Sequence, residues 1–556
     1  MKCNLDLTEM QCDERKPTCG TCARLGKTCE AYRPEFKFRT VTTPPSGERL
    51  TASELPNQQI VRVTERELGG NQSPFDALSV GSIDLIKSLQ HSERDIFYST
   101  IWEDYCLPAM HPMFTLLSGC CGRDQMLRDA TLALSSCTFS RLHPEKKSST
   151  ASHMGSFSPD LVHQTRSQLY YSSAIQQFTL LSEDDCRKNL PGVLTVLTIF
   201  AYIESSMGNF HGFYCHDQGM LTLLLQLHTN SEDSTLQALI AAWMQVRFVV
   251  WWARAHFCSM EVLRRLPSVL SPMILTSGLS SIQERRAMVL SIMCESHRLN
   301  FRTLMAHWDV GDPEHLVNQE MLSEDEDHET AYFLLNDQAQ ALDRWTEQLP
   351  SSDLPIQSHD TSEENDETDS GDSPLRFQSH EAAMNFAYYV IARIMQCTGL
   401  LRVLQTRESS YIKYEFHEEE AWTRLLLRIA RGTNMQTSLR MNNYTIGFSG
   451  LLLTALLRCQ SQSLGAEVQS WLQSLADLKP TEEGAFPLYQ TLGIVKSINQ
   501  QKVIRRDVLG LTQPVDDSGG MPKFSAYNSQ PISTLLFHGI DQLSGDLFTE
   551  CVSIDL

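Results

Sequence analysis

Apolar residues recur along most of this chain at the spacing of one helical face. Between positions 190 and 204, Val193, Val196, Leu197, Phe200 and Ile203 fall at i, i+3, i+4, i+7 and beyond, and Pro191 suits a first helical turn. The next stretch, 218–227, is apolar almost all round, which predicts a helix in the centre of a core. Comparable patterns run through 129–142, 167–181, 235–257, 282–307, 330–348, 380–404, 418–431, 445–461 and 466–478. Period-two alternation hardly appears. The expectation is an all-α body of many helices over 75–540, followed by a tail at 541–556.

Two stretches interrupt this pattern. Residues 40–74 are rich in Thr, Pro, Ser, Gly and Gln without sustained periodicity, which reads as a flexible linker. Residues 351–374, SSDLPIQSHDTSEENDETDSGDSP, combine acid, Ser and Pro with few apolar side chains, so a solvated, disordered acidic loop is expected. An acidic activation segment would need more bulky hydrophobes than Leu354 and Ile356. No internal repeat is visible.

Composition narrows the function classes. The net charge of -21 argues against a nucleic-acid surface on the body as a whole, so any DNA contact must be local. Most of the 16 cysteines stand singly inside apolar stretches, as Cys106, Cys137, Cys186, Cys294, Cys397 and Cys459 do, which reads as reduced thiols in an intracellular protein. The opening MKCNLDLTEMQC has no apolar signal core. The most apolar runs, 193–203 and 239–257, are short or carry Arg247 and Arg254, and fall below the roughly 18 uninterrupted apolar residues of a span, so no membrane partner is expected.

The most specific chemistry lies in CDERKPTCGTCARLGKTC, where Cys12, Cys19, Cys22 and Cys29 are separated by six, two and six residues. Thiolates are strong zinc ligands. A two-residue gap lets Cys19 and Cys22 turn onto one metal while Cys12 and Cys29 close a tetrahedron. So short a segment cannot build a core of its own, and the metal would supply its folding free energy.

This spacing, with Asp13, Pro17, Gly26 and Lys27, resembles the last four cysteines of the fungal six-cysteine binuclear zinc cluster, a DNA-binding element of transcription regulators. The resemblance implies zinc as cofactor, double-stranded promoter DNA as partner and a nuclear location. It also marks two departures. The family's first cysteine pair would fall at Lys2 and Leu5, and Cys3 is one place out of register, so the chain completes at most one four-cysteine site unless Cys3 substitutes or a water fills a vacancy. The family's basic recognition helix corresponds to Asp6-Leu7-Thr8-Glu9-Met10-Gln11, which is net acidic. From residue 12 to 39 there remain Arg15, Lys16, Arg24, Lys27, Arg33, Lys37 and Arg39 against Asp13, Glu14, Glu30 and Glu35, a net charge of +3. Arg15, Lys16, Arg24 and Lys27 are the candidate DNA contacts. Two explanations are open: the protein begins upstream of Met1, or the finger has decayed and the chain acts without direct DNA contact.

The body resembles the fungal-specific transcription factor domain in several segments: Glu93-Arg94, Trp102-Glu103, Leu107-Pro108 and the run from Leu127 to Leu134; HDQGMLTLL from His216; Trp345 with Leu349-Pro350; and GGMPKFSAYNSQ from Gly519. That resemblance implies a large multi-helix regulatory domain, preceded by a small zinc-cluster segment at 1–39 and the flexible linker. It further implies self-association as a homodimer, transcription co-regulators as partners, and control of a metabolic or secondary-metabolite gene cluster. No apolar heptads at 50–68 support a linker coiled coil.

Other features read more simply as structure. His211, Cys215 and His216 suggest a second metal site, but with no adjacent ligand cluster they read as capping or core residues. Trp251 and Trp252 suggest an effector pocket, yet paired aromatics on a buried helix are usually core. GxGxxG, P-loop, HExxH and GxSxG patterns are all lacking, so no enzyme is expected. The competing function is a helical interaction or effector-binding regulator without DNA binding of its own.

Overall fold

A computed structural model describes residues 91–118, 124–142, 145–146, 157–207, 209–226, 234–256, 259–260, 263, 268, 281–308, 324–356, 373–406, 416–484, 486–514 and 534–554. All belong to one unit, Ser73–Leu556. The longer helices, in chain order, are α1 (His91–Ile101), α2 (Gln125–Leu142), α3 (Leu161–Thr179), α4 (Leu190–Met207), α5 (Phe210–Gln226), α6 (Ser234–His256), α7 (Ile282–Met305), α8 (Glu324–Glu347), α9 (His380–Gln396), α10 (Gly399–Thr406), α11 (His417–Gly432), α12 (Met435–Met441), α13 (Phe448–Leu456), α14 (Gln462–Ala476) and α15 (Leu488–Val503). The all-α class holds, with little sheet.

Local chemistry explains several boundaries. Ser281 opens α7 with a capping box, its hydroxyl accepting from Glu284 N at 3.1 Å while the Glu284 carboxylate accepts from Ser281 N at 3.0 Å. Asp160 caps α3 by accepting from Val162 N and His163 N. The single helix expected over 380–404 divides into α9 and α10, because Cys397 turns extended (φ -66, ψ 112) just before Gly399.

The helices share one main apolar core. α2 packs on α3 and α4, α7 lies between α6, α8 and α9, and α13 is enclosed by α9, α11 and α15. Two helices, α4 and α6 over Ser234–Ala253, are long and apolar enough to cross a membrane by length and composition, and α4 extends past the run read from sequence. In the fold 67% and 72% of those windows are buried, as expected of core helices.

Three strands depart from the sequence expectation: β3 (Arg506–Thr512), β4 (Thr534–Asp541) and β5 (Leu547–Ser553) form an antiparallel sheet in that order. A two-residue hairpin, β1 (Glu482–Glu483) with β2 (Phe486–Pro487), precedes them. The stretch 541–556, expected as a tail, therefore supplies the third strand of a sheet. Its turn is built by Asp541, whose carboxylate accepts from Leu543 N and Ser544 N while Gly545 takes φ +79. β3 is buried over nearly its whole length, so it reads as a short continuous apolar run rather than an alternating one.

The ends of the acidic stretch 351–374 are also more ordered than expected. Asp353 is buried and ion-paired with Arg285 at 2.7 Å, and Ile356 N donates to Arg376 O at 2.8 Å. Residues 357–372, the centre of that predicted loop, lie outside the described residues.

Candidate functional site

The candidate zinc ligands Cys12, Cys19, Cys22 and Cys29, the substitute Cys3, and the candidate DNA contacts Arg15, Lys16, Arg24 and Lys27 lie outside the described residues, as do the linker and the GGMPKFSAYNSQ segment. Among the described residues no group of three or more His, Cys, Asp or Glu side chains is placed to hold a metal. The cysteines described there are not joined in disulfides with one another.

The sequence cluster at 211–216 resolves into a polar contact. His216 Nε2 lies 2.6 Å from Tyr171 Oη and 3.8 Å from Glu204, and the Tyr171 hydroxyl donates to Glu204. Burial, and then the Glu204 carboxylate, push the Tyr171 phenol well above its ordinary range. Cys215 points to solvent, and the side chain of His211 lies outside the described residues. Trp251 and Trp252 are both buried in the core, as paired aromatics on a core helix should be.

Two buried polar clusters that the sequence did not announce sit at opposite ends of α13. At its N-terminus Gly447 offers no capping side chain, and Glu483, arriving from β1, takes over that role. Its carboxylate accepts from Phe448 N at 3.0 Å, Ser449 N at 2.7 Å, Ser449 Oγ at 2.7 Å and Asn442 Nδ2 at 2.8 Å. The helix dipole favours a negative charge here, and four donors offset the cost of its complete burial. The approach needs small residues: Gly484 has φ +67, and a Cβ there would lie 2.4 Å from Gly447 N.

Beyond the C-terminal end, Arg458 is buried. Its guanidinium donates to Asn300 Oδ1 at 2.8 Å, Leu457 O at 3.0 Å and Leu509 O at 2.6 Å, all neutral oxygens. Leu509 is available because the β3–β4 register slips between Val508 and Gly510, leaving it outside the regular ladder. Beside Arg458, the rings of His256 of α6 and His297 of α7 lie tilted against each other with centroids 4.8 Å apart, and Trp252 packs on both. His256 Nδ1 donates to Trp252 O at 3.0 Å and its Nε2 lies 2.7 Å from Thr454 Oγ1. Burial, followed by Arg458, holds His256 down at about 4 despite the Trp252 hydrogen bond, and burial, His256 and Arg458 hold His297 well below its ordinary range.

Comparison with known proteins bears on the other end of the chain. Residues 9–38 match the fungal Zn(2)-Cys(6) binuclear cluster domain, a zinc-binding, DNA-binding domain of transcription regulators. The match takes in Cys12, Cys19, Cys22 and Cys29 with Arg15, Lys16, Arg24 and Lys27, and leaves out Cys3. The helical body lies outside it. No curated protein and no solved structure matches the chain.

Proposed function

We propose that this chain is a nuclear, zinc-dependent, sequence-specific transcription regulator whose Cys12–Cys29 segment contacts promoter DNA and whose helical body regulates that contact. The observation that carries the reading is the match of the cluster domain over all four cysteines. Cys12, Cys19, Cys22 and Cys29 hold zinc as thiolates; Arg15, Lys16, Arg24 and Lys27 neutralise phosphates. The body serves self-association, recruits transcription co-regulators and governs a metabolic or secondary-metabolite gene cluster.

A second reading rests on a specific observation. The positions that would supply the first cysteine pair are Lys2 and Leu5, and Asp6 and Glu9 stand where cations should reach the groove. Under that reading the chain binds zinc but works through another DNA-bound protein or a small effector.

Zinc content and a salt series on promoter-length duplex DNA separate the two. The first reading expects bound zinc, a log–log salt slope between about -2 and -4, matching the few cations present, and a fall of about tenfold or more in DNA affinity with Cys19→Ser. Zinc-loaded protein without salt-dependent binding would leave the second reading standing.

A further inference from the structure

Near the start of α7 a guanidinium is withdrawn from water with one neutral partner. Arg286 is 8% exposed, and its hydrogen bond among the described residues runs from Nε to Asn385 Oδ1 of α9 at 2.9 Å. No carboxylate among those residues forms an ion pair with it. The acidic groups closest to this region are engaged elsewhere: Glu284 closes the capping box on Ser281, and Glu483 is held at the start of α13. Two further donors share the surroundings. Met113 N donates to His111 Nδ1 at 3.2 Å, so the neutral ring carries its hydrogen on Nε2; His111 is 7% exposed. Tyr202 of α4 is 3% exposed, and its hydroxyl has no hydrogen-bond partner among the described residues. Phe114 links the two, since its N–H donates to His111 O at 3.0 Å and its ring meets Tyr202 edge-on with centroids 6.2 Å apart. The Arg286 charge reaches both: burial first, then Arg286, hold His111 down at about 4, and burial raises the Tyr202 phenol against the pull of Arg286. Three donors buried without acceptors are costly, and a group that only accepts relieves them together.

We propose that Arg286, His111 and Tyr202 bind the carboxylate of a small monoanionic ligand, forming an effector site on the helical body. The donor set selects that class. The two Nη groups of a guanidinium match the two oxygens of a carboxylate, and the Tyr202 hydroxyl and His111 Nε2–H supply donors for its remaining lone pairs. Asn385 holds the fork in place, because its Oδ1 accepts from Arg286 Nε while its Nδ2 donates to Ile282 O at 3.2 Å. Charge selects the valence. His111 is neutral at pH 7, and His380, whose Nε2 lies 2.9 Å from Asn442 Oδ1, is lowered too, chiefly by burial. Arg286 therefore brings one positive charge, which balances a monoanion and leaves a phosphate dianion in excess. The cluster lies close under the surface: His111 precedes exposed Pro112, and Arg286 stands little more than one turn after exposed Ser281. The site is apart from the Cys12–Cys29 segment, and its occupancy does not depend on contact with DNA.

The test follows the thermal midpoint of the full zinc-loaded chain at pH 7, titrated with sodium acetate, sodium phosphate or neutral acetamide, with ionic strength held constant by sodium chloride. The expected result is a saturable rise with acetate and none with acetamide or phosphate. Arg286→Gln should abolish the rise. Tyr202→Phe, which keeps the ring against Phe114 and removes only the hydroxyl, should weaken the apparent acetate affinity about tenfold, the worth of one hydrogen bond to a charged group. No saturable response to acetate, an equal or larger response to phosphate or acetamide, or an unchanged response in Arg286→Gln overturns the proposal. Should Arg286→Gln fail to fold, Tyr202→Phe decides: weakened acetate binding supports the site, and unchanged binding overturns it.

Discussion

The two ends of α13 solve the same physical problem differently. At the N-terminal end, the buried Glu483 carboxylate meets donors from Asn442, Phe448 and Ser449, and a cap missing from the local sequence is supplied from a hairpin elsewhere in the chain. At the C-terminal end, Arg458 and two histidines are brought together around a void, and His297 Nδ1 is left without a partner. A fully satisfied buried network stabilises and specifies a fold; a donor-rich one with unmet groups stores a cost that a ligand can relieve. The first cluster therefore reads as structural, and the second as a place where burial holds two histidines neutral beside an arginine.

Four perturbations sharpen that contrast. Glu483→Ala should cost most, about 3–5 kcal/mol, because it strands buried donors at the start of α13; the urea midpoint of the variant measures it. Lowering pH from 7 to about 4.5 should come next. His256 has a folded value of about 4 against an ordinary value of 6.5. The unfolded chain therefore takes the proton first, and stability present above pH 6.5 is lost as pH falls toward 4. The loss attributable to His256 is on the order of 2–3 kcal/mol, and denaturation of His256→Gln, whose side chain does not titrate, should show a shallower decline. Gly484→Ala should cost about 1–3 kcal/mol, since it adds left-handed strain to the 2.4 Å approach of a new Cβ to Gly447 N. His297→Phe should change stability least, within about 1 kcal/mol, because it replaces an unmet polar ring by an apolar one of similar shape. A large loss there would mean that His297 belongs to a satisfied network and would erase the difference between the two ends.

Much of the helical body was legible because its signal is local. The stretch 282–307 appears as α7, Ile282–Met305, with its Ser281–Glu284 capping box written in the sequence. The runs 129–142 and 418–431 appear within α2 and α11. α15 lies outside the runs expected from periodicity although Leu488, Leu492, Val495 and Ile498 lie on one buried face; intervening Gln, Ser and Asn residues dilute the pattern without removing it. The sheet was missed for a different reason. β3 is enclosed over nearly its whole length, so its apolar run carries no alternation, and β5 draws its identity from pairing with β4 rather than from its own composition.

The candidate sites divide in the same way. The Cys12–Cys29 constellation is legible because metal-ligand spacing is a local property of the chain, and the domain match over residues 9–38 covers it. Nothing local marks His256, His297 or Arg458, each of which reads alone as an ordinary polar residue in an apolar helix or at its end. Trp251 and Trp252 read as core from the sequence, and burial agrees; their contact with His297 follows from its approach on a different helix.

By itself the sequence determined the helical periodicity, the chain-local caps and the four-cysteine spacing that the domain match covers, since each depends on residues within a few turns of one another. Tertiary structure alone decided that Glu483 would cap α13, that a bulge would free Leu509 O for Arg458, and that two histidines would meet that arginine around a void. Those outcomes depend on packing between segments distant in the chain, where burial and the supply of partners set which polar groups are satisfied and which titrate.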